Sequence, residues 1–429
     1  AVIKGFNLAS EYAREQVDEV ATEVDPDDTE TLKSVAETSM TGKGAELDKD
    51  VLADLVVRAI QGVTVEADDG SHVVDLANLN IETRTGRAAG ESRLLSGAVI
   101  DKDPVHEDMP TDFDAADVLL LNDPIEVEEA DVDTAVNVES PDQLQRFLDQ
   151  EEEQLRDKVD TIVESGADVV FCQKGIDDLA QHYLAKEGIL AVRRTKKSDL
   201  SFLKNVLGAP IVSDLDSLTA DDLAVGTVTR DAEEELFYVE GEDAHGVTLL
   251  LYGTTEHVVD ELERGIQDAL DVVSATAADG RVLAGGGAIE VEVASRLRDY
   301  ADDISGREQL AVNAFADAVE TVPRVLASNA GLDSIDTLVA LRAAHEDGDI
   351  HAGLNVFSGD VVDTYEAGVV EPAHSKEQAL SSATEAANLV LKIDDIIAAG
   401  DLSTSGDEDE GGPGGAGGMG GMGGMGGAM

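Results

Sequence analysis

Apolar residues recur every three to four positions through the first 65 residues: Leu8, Tyr12, Val17, Val20 and Val24, then Leu32, Val35 and Met40, then Leu47, Val51, Leu52, Leu55 and Val56. This spacing gathers them on one face of an α-helix and predicts a helical start, broken at Asp25-Pro26-Asp27 and Thr41-Gly42-Lys43-Gly44. Between 71 and 136 the pattern turns to short β-like runs, His72-Val73-Val74, Leu94 to Ile100 and Val118 to Leu121, separated by Asp, Pro and Gly. A long helix is predicted to open at Ser140-Pro141-Asp142-Gln143, with capping-box spacing and proline at the first helical position. Leu144, Phe147, Leu148, Leu155, Val159, Ile162 and Val163 form its stripe. A strand (Ala167 to Phe171), a helix (Ile176 to Lys186) and a strand (Ile189 to Val192) follow in βαβ-like alternation. From about 248 the strand Leu249 to Tyr252 leads into a helix over 255–278, and helices dominate to about 398. The order helical, mixed, helical predicts one helical domain built from both ends of the chain around a mixed insert.

Charge narrows the function. With 30 Lys+Arg against 91 Asp+Glu the formal charge is −61, which argues against nucleic-acid phosphate or an anionic membrane as the main partner. Aromatic residues make up 3% and there is no Trp, so base-stacking platforms are scarce and burial rests on Val, Leu, Ile and Ala. Self-repulsion on this scale becomes tolerable where molar salt shortens the Debye length to about 3 Å, which predicts a halophilic, cytoplasmic protein. The single cysteine, Cys172, reads as inert core in a reducing cytosol. No apolar run approaches the length of a membrane helix and no leader pattern opens the chain. The chain reads as beginning inside a helix. The last 19 residues hold 12 glycines and a Gly-Gly-Met repeat at 417–425, a composition that predicts a flexible tail over 406–429.

Candidate chemistry is sparse. Gly285-Gly286-Gly287 precedes a helix carrying Ile289, Val293 and Leu297, where glycines allow close backbone approach and a helix N-terminus offers N–H groups to an anion. Tight packing explains a triple glycine equally well, and the run matches no phosphate-loop or dinucleotide fingerprint. Residues 353–372 read as a hairpin or strand pair with acidic exits, containing Asn355 and Glu371; composition alone makes Glu371 a solvated carboxylate. Asp268 lies off the apolar stripe Val259, Leu262, Ile266, Leu270 and Val273, where it reads as a surface group. The eight histidines show no metal-ligand spacing, and no Ser/His/Asp pattern stands out.

Several ordered motifs nevertheless carry a resemblance over essentially the whole chain: Val282 to Glu290 around the glycines, Val322-Pro323-Arg324 with Leu326 to Asp336, Gly368-Val369-Val370-Glu371-Pro372, Thr41 to Glu46, Phe171 to Ala180, Thr255 to Glu261, and the Gly-Gly-Met tail. The sequence resembles a group II chaperonin of the archaeal thermosome type. The resemblance implies a multidomain α and α/β fold: equatorial over 1–25 and 283–405, intermediate over 26–95 and 248–282, apical over 96–247 with a helical lid protrusion at about 125–165. It implies an ATP-dependent chaperone subunit of a double-ring folding chamber, binding unfolded polypeptides and identical or paralogous subunits, with the tail hanging into the cavity.

By the same resemblance Gly285, Gly286 and Gly287 contact the nucleotide through their backbone. Asn355 lies on the adjoining hairpin, Glu371 near ribose or base, and Asp268 is the carboxylate that orients the attacking water. The family's Gly-Asp-Gly-Thr-Thr phosphate loop, with its acidic Mg²⁺ ligand, has no counterpart in these residues, so part of the N-terminal equatorial segment is expected to be missing. Two other readings stay open here: a truncated chain that binds unfolded proteins without ATP, and a nucleotide-binding metabolic enzyme.

Overall fold

The computed structural model describes residues 1–41, 48–67, 72–127, 141–241 and 246–392. Ser140 of the capping box, the Gly42-Lys43-Gly44 break, residues 128–139 of the lid protrusion and the Gly-Gly-Met tail lie outside the described residues.

The chain opens with α1 (Val2–Val20), a short β1 (Thr22–Glu23), α2 (Thr29–Met40) and α3 (Lys49–Gly62), then the pair β2 (Thr64–Glu66) and β3 (His72–Val74), and β4 (Leu79–Thr85). Asp28 caps α2 by accepting from the Thr31 N–H at 3.2 Å. The predicted run from Leu94 to Ile100 is two strands, β5 (Arg93–Ser96) and β6 (Ala98–Ile100). Gly97 breaks it, with φ +81° and its absent Cβ position only 2.1 Å from the Val239 carbonyl.

After β7 (Phe113–Leu121) come α4 (Pro141–Ser165), β8 (Val169–Cys172), α5 (Asp178–Glu187), β9 (Leu190–Val192), α6 (Lys197–Leu207), β10 (Ile211–Val212), β11 (Ala224–Asp231) and β12 (Leu236–Gly241). They form a seven-stranded sheet in the order β6-β12-β11-β7-β8-β9, with β10 parallel to β7. β7, β8 and β9 run parallel, and β8 is buried along its whole length, which is why its sequence is an unbroken apolar run. Helix α5 starts two residues later than predicted because Asp177 caps it, accepting from the Leu179 N–H at 2.8 Å. Cys172 is buried there, and burial pushes its thiol up to about 12, so it stays protonated and inert. The α4 stripe divides: Leu155, Val159 and Ile162 are core, whereas Phe147 and Leu148 are nearly half exposed.

The rest is β13 (Val247–Gly253), α7 (Glu256–Asp279), β14 (Arg281–Ala284), α8 (Ala288–Asp302), α9 (Arg307–Val319), α10 (Thr321–Asn329), α11 (Ser334–Glu346), β15 (Ala352–Leu354), β16 (Val361–Asp363), β17 (Val370–Pro372) and α12 (Ala373–Leu391). Three main cores result. The first lies under the seven-stranded sheet. The second joins α2 and α3 to β13 and α7, whose predicted stripe is buried throughout. The third joins α1 to α8, α9 and the start of α12, so both ends of the described chain share a core. Strand β14 straddles two of them, Val282 in the second and Leu283 in the third.

A polar hub ties the seven-stranded sheet to the smaller sheet β4-β13-β5. Glu234, in the β11–β12 turn, accepts from Tyr252 Oη at 2.7 Å and Tyr238 Oη at 2.8 Å, and pairs with Arg87 at 2.7 Å and Arg93 at 2.8 Å. Burial works to raise this carboxyl, but the two phenols and two guanidiniums outweigh it and hold it below the usual range.

Candidate functional site

The site is built around the turn from β14 into α8. Gly286 and Gly287 both take positive φ, +66° and +83°. A Cβ on Gly286 would stand 2.9 Å from the Leu354 carbonyl, and one on Gly287 would stand 2.8 Å from Pro323 Cβ. The glycines therefore permit hairpin β15–β16 and α10 to close on the turn, an observation that accounts for them by packing. Gly285 N–H donates to Val369 O at 2.8 Å, Leu354 N–H to Gly286 O at 2.9 Å, and the buried Thr364 hydroxyl to Gly285 O at 3.0 Å.

Strand β17 corrects the sequence expectation. Residues 353–363 form the hairpin, but 370–372 pair with β14 instead, with Leu283 opposite Glu371. Glu371 thus comes beside the glycine turn. Asn355, directly after β15, folds its side chain into the hairpin: Oδ1 accepts from the Phe357 N–H at 3.0 Å and the Ser358 N–H at 3.2 Å.

Sequence reasoning missed two charged groups. Glu290, in the first turn of α8, is buried, and Lys376, in the first turn of α12, reaches it with Nζ to Oε1 at 2.5 Å. The same ammonium lies 3.2 Å from Glu371 Oε1. Burial and Glu290 push the Glu371 carboxyl up while Lys376 opposes them, and the two carboxylates hold Lys376 protonated. Nothing local in the sequence marks this trio, since β-pairing and two separate helix starts bring it together. Beyond Glu290 and Lys376 opens an apolar groove of about 410 Å³ lined by Phe6, Val293, Phe315, Val319 and Leu380.

Three comparisons place the chain. The model of the TCP-1/cpn60 chaperonin family matches residues 1–401. The chain belongs to this family. It is 75% identical to thermosome subunit 2 of Haloferax volcanii over 414 residues, covering 96% of this chain and 74% of that protein. It is 70% identical to thermosome subunit beta of Halobacterium salinarum over 407 residues, covering 94% and 73%. Among solved structures it resembles the open-state monomer of a group II chaperonin from Methanococcoides burtonii, with a TM-score of 0.72, 42% identity and coverage of 91% of this chain and 92% of that one. The family model begins its match at residue 1, which lends no support to the expected N-terminal gap. The chain spans about three quarters of the length of the curated relatives it matches.

This chaperonin is an ATP-dependent group II subunit of halophilic type, with the multidomain α and α/β architecture expected of it. Its glycine turn, Asn355 and Glu371 converge on one edge of the third core. Asp268 is exposed on α7, about 18 Å along the helix from the Gly280 C-cap. No described helix is long and apolar enough to cross a membrane. For nucleotide, the residues present fit the adenosine side, where Glu371 offers a partly exposed acceptor beside a turn that is buried except at the half-buried Gly286. Among the described residues no three acidic, His or Cys side chains gather as a metal cluster.

Proposed function

We propose that the turn Gly285-Gly286-Gly287, Asn355 and Glu371 hold the adenosine end of ATP, and that Asp268 orients the water that attacks the γ-phosphate. The observation that supports this most is the β14–β17 register, which sets Glu371 opposite Leu283, two residues before the turn that the Asn355 hairpin closes. Phosphoryl transfer asks the protein mainly for positioning. A carboxylate carried on α7, a separate element packed in the second core, couples hydrolysis to conformational change if movement of that helix brings it onto the nucleotide. The three cores support the division into equatorial (1–25, 283–405), intermediate (26–95, 248–282) and apical (96–247) domains. The subunit then assembles into stacked rings in a high-salt cytosol and encloses unfolded polypeptides. Phe147 and Leu148, exposed on α4, are the apolar groups of its lid-like helix that meet neighbours or client.

The test is Asp268→Ala. Hydrolysis should be abolished while nucleotide affinity stays within about twofold; retained turnover overturns the role given to Asp268.

A further inference from the structure

Two carboxylates share one ammonium at the glycine turn, and their positions in the chain give that sharing a purpose. Glu371 is the middle residue of the strand paired to β14, which runs into the turn; Glu290 lies in the first turn of α8, which leaves it. Lys376 stands between them at 3.2 and 2.5 Å, so one side chain staples the two arms of the turn. The Lys376 side chain is 19% exposed and that of Glu290 only 4%, whereas Glu371 keeps 30% of its side-chain surface open to solvent. Glu290 Oε2 is buried without a hydrogen-bond partner, which leaves Lys376 as the group compensating that carboxylate.

Resting on the nucleotide-site reading above, we propose that Lys376 is a positioning residue of that site: it favours the charged form of the Glu371 carboxylate and fixes it beside the turn, ready to accept hydrogen bonds from the ribose hydroxyls. Without the cation, two carboxylates would face each other in a poorly solvated corner, and like charges so placed cannot both stay ionised near neutrality. The more exposed partner, Glu371, would then take up a proton or swing away, and in either case lose strength as an acceptor.

The remaining surroundings of Glu371 do not replace the cation. From β14 its register partner is Leu283. From α2 the nearest polar group is the Thr38 hydroxyl, which accepts from the Val370 N–H at 3.3 Å. The α7 face in the same core is Leu270, Val273 and Ala277. Arg281, further back on β14, is engaged by Asp18, Asp279 and Glu377.

The experiment is ADP binding by the full chain in molar KCl, followed from pH 5.5 to 8 for five proteins. The unaltered chain and Lys376→Arg should lose affinity only as the pH falls through about 7, where the Glu371 carboxyl titrates against the opposing ammonium. Lys376→Gln should lose affinity at a higher pH, so that at pH 7 it binds about tenfold more weakly than the unaltered chain, because a protonated or displaced Glu371 forfeits a charge-assisted hydrogen bond. Lys376→Gln with Glu290→Gln removes the buried carboxylate of α8 together with its cation, so it stays folded, and burial of Glu371 alone should give the same direction of shift at smaller size. Glu371→Gln should be weak and flat. If Glu371→Gln binds ADP like the unaltered chain, the nucleotide-site reading fails. If it weakens binding while both Lys376→Gln proteins follow the pH profile of the unaltered chain, Lys376 is merely structural and this proposal is overturned with the site reading intact.

Discussion

His345 Nδ1 lies 2.8 Å from Glu292 Oε2, and its Nε2 lies 2.9 Å from the Ala352 carbonyl. Each ring nitrogen faces an acceptor, an arrangement that a doubly protonated imidazole satisfies completely. Through this ring α8 and α11 hold β15, the strand whose Leu354 N–H bonds Gly286 O. His345→Leu should therefore loosen the hairpin as well as destabilise the fold. Glu292 would keep only Arg296, at 2.7 Å, and the loss should be about 2–3 kcal/mol by denaturant unfolding in molar salt. Hydrogen exchange at the Leu354 amide should quicken by more than at α5.

Acid should destabilise the protein in part through two depressed carboxyls, Glu292 and Glu320. The hydrogen bond from His345, then that from Arg296, holds Glu292 below its ordinary value against the effect of burial. At Glu320, fully buried, burial would raise the carboxyl, but hydrogen bonds from Arg342 and Arg298 reverse this. Both groups have folded values below the unfolded ~4.3, so they contribute stability above that pH and lose it as pH falls through the folded values. Glu320→Gln should cost about 2 kcal/mol at neutral pH, allowing for the solvent around Arg298, Arg324 and Arg342. It should also flatten the fall in stability below pH 4, seen as a shallower dependence of the denaturant midpoint on pH.

Gly97→Ala and Gly208→Ala should differ sharply, although both glycines have positive φ, +81° and +71°. Around Gly208 a Cβ meets nothing within 4 Å, so only the backbone preference is lost, about 1 kcal/mol. At Gly97 the Cβ would collide with the Val239 backbone, and the unfolding temperature should drop several-fold further.

Glu234→Gln keeps the shape of the hub but removes the charge that Arg87 and Arg93 share. The two arginines are about 40% exposed, which limits the expected loss to about 1 kcal/mol. The sharper readout is local: the Gly97 amide, bonded to Gly246 O at 2.8 Å across the junction of the two sheets, should exchange faster in the variant.

A charge of −61 predicts a strong salt requirement. Moving from 1 M to 0.1 M KCl lengthens the screening distance from about 3 to about 10 Å, and the unfolding temperature should fall steadily over that range. An unfolding temperature independent of KCl would refute the halophilic reading of the carboxylates.

The parts of the fold that were legible are those whose signal is local and long. The 24 residues of α7 repeat their apolar period often enough to fix both its length and its buried face. The three residues of β17 carry no such signal, and their partner was decided by chain distant in sequence, so the strand was assigned to the wrong pairing. Glycines 285–287 were visible as a turn, while the reason for them, the approach of Leu354 and Pro323, belongs to tertiary structure. Lys376 and Glu290 were invisible for the same reason: a lysine and a glutamate in two helix starts mean nothing until β17 is placed. The α4 stripe is continuous in sequence and divided in space, because periodicity records which face is apolar, not how far the core extends.

Helix α7 also acts as a lever. At 24 residues it spans about 36 Å, and its last turn passes through Gly280 directly into β14 and the glycine turn. A tilt of about 5° pivoting at that end would carry Asp268 by roughly 1.5 Å and the Thr255 end by roughly 3 Å, from the helix rise alone. A movement too small to disturb the packing around Gly286 is thus magnified into a displacement the size of a bond or two at the far end. The stiffness of one helix sets the gearing between the turn and the sheets beyond it.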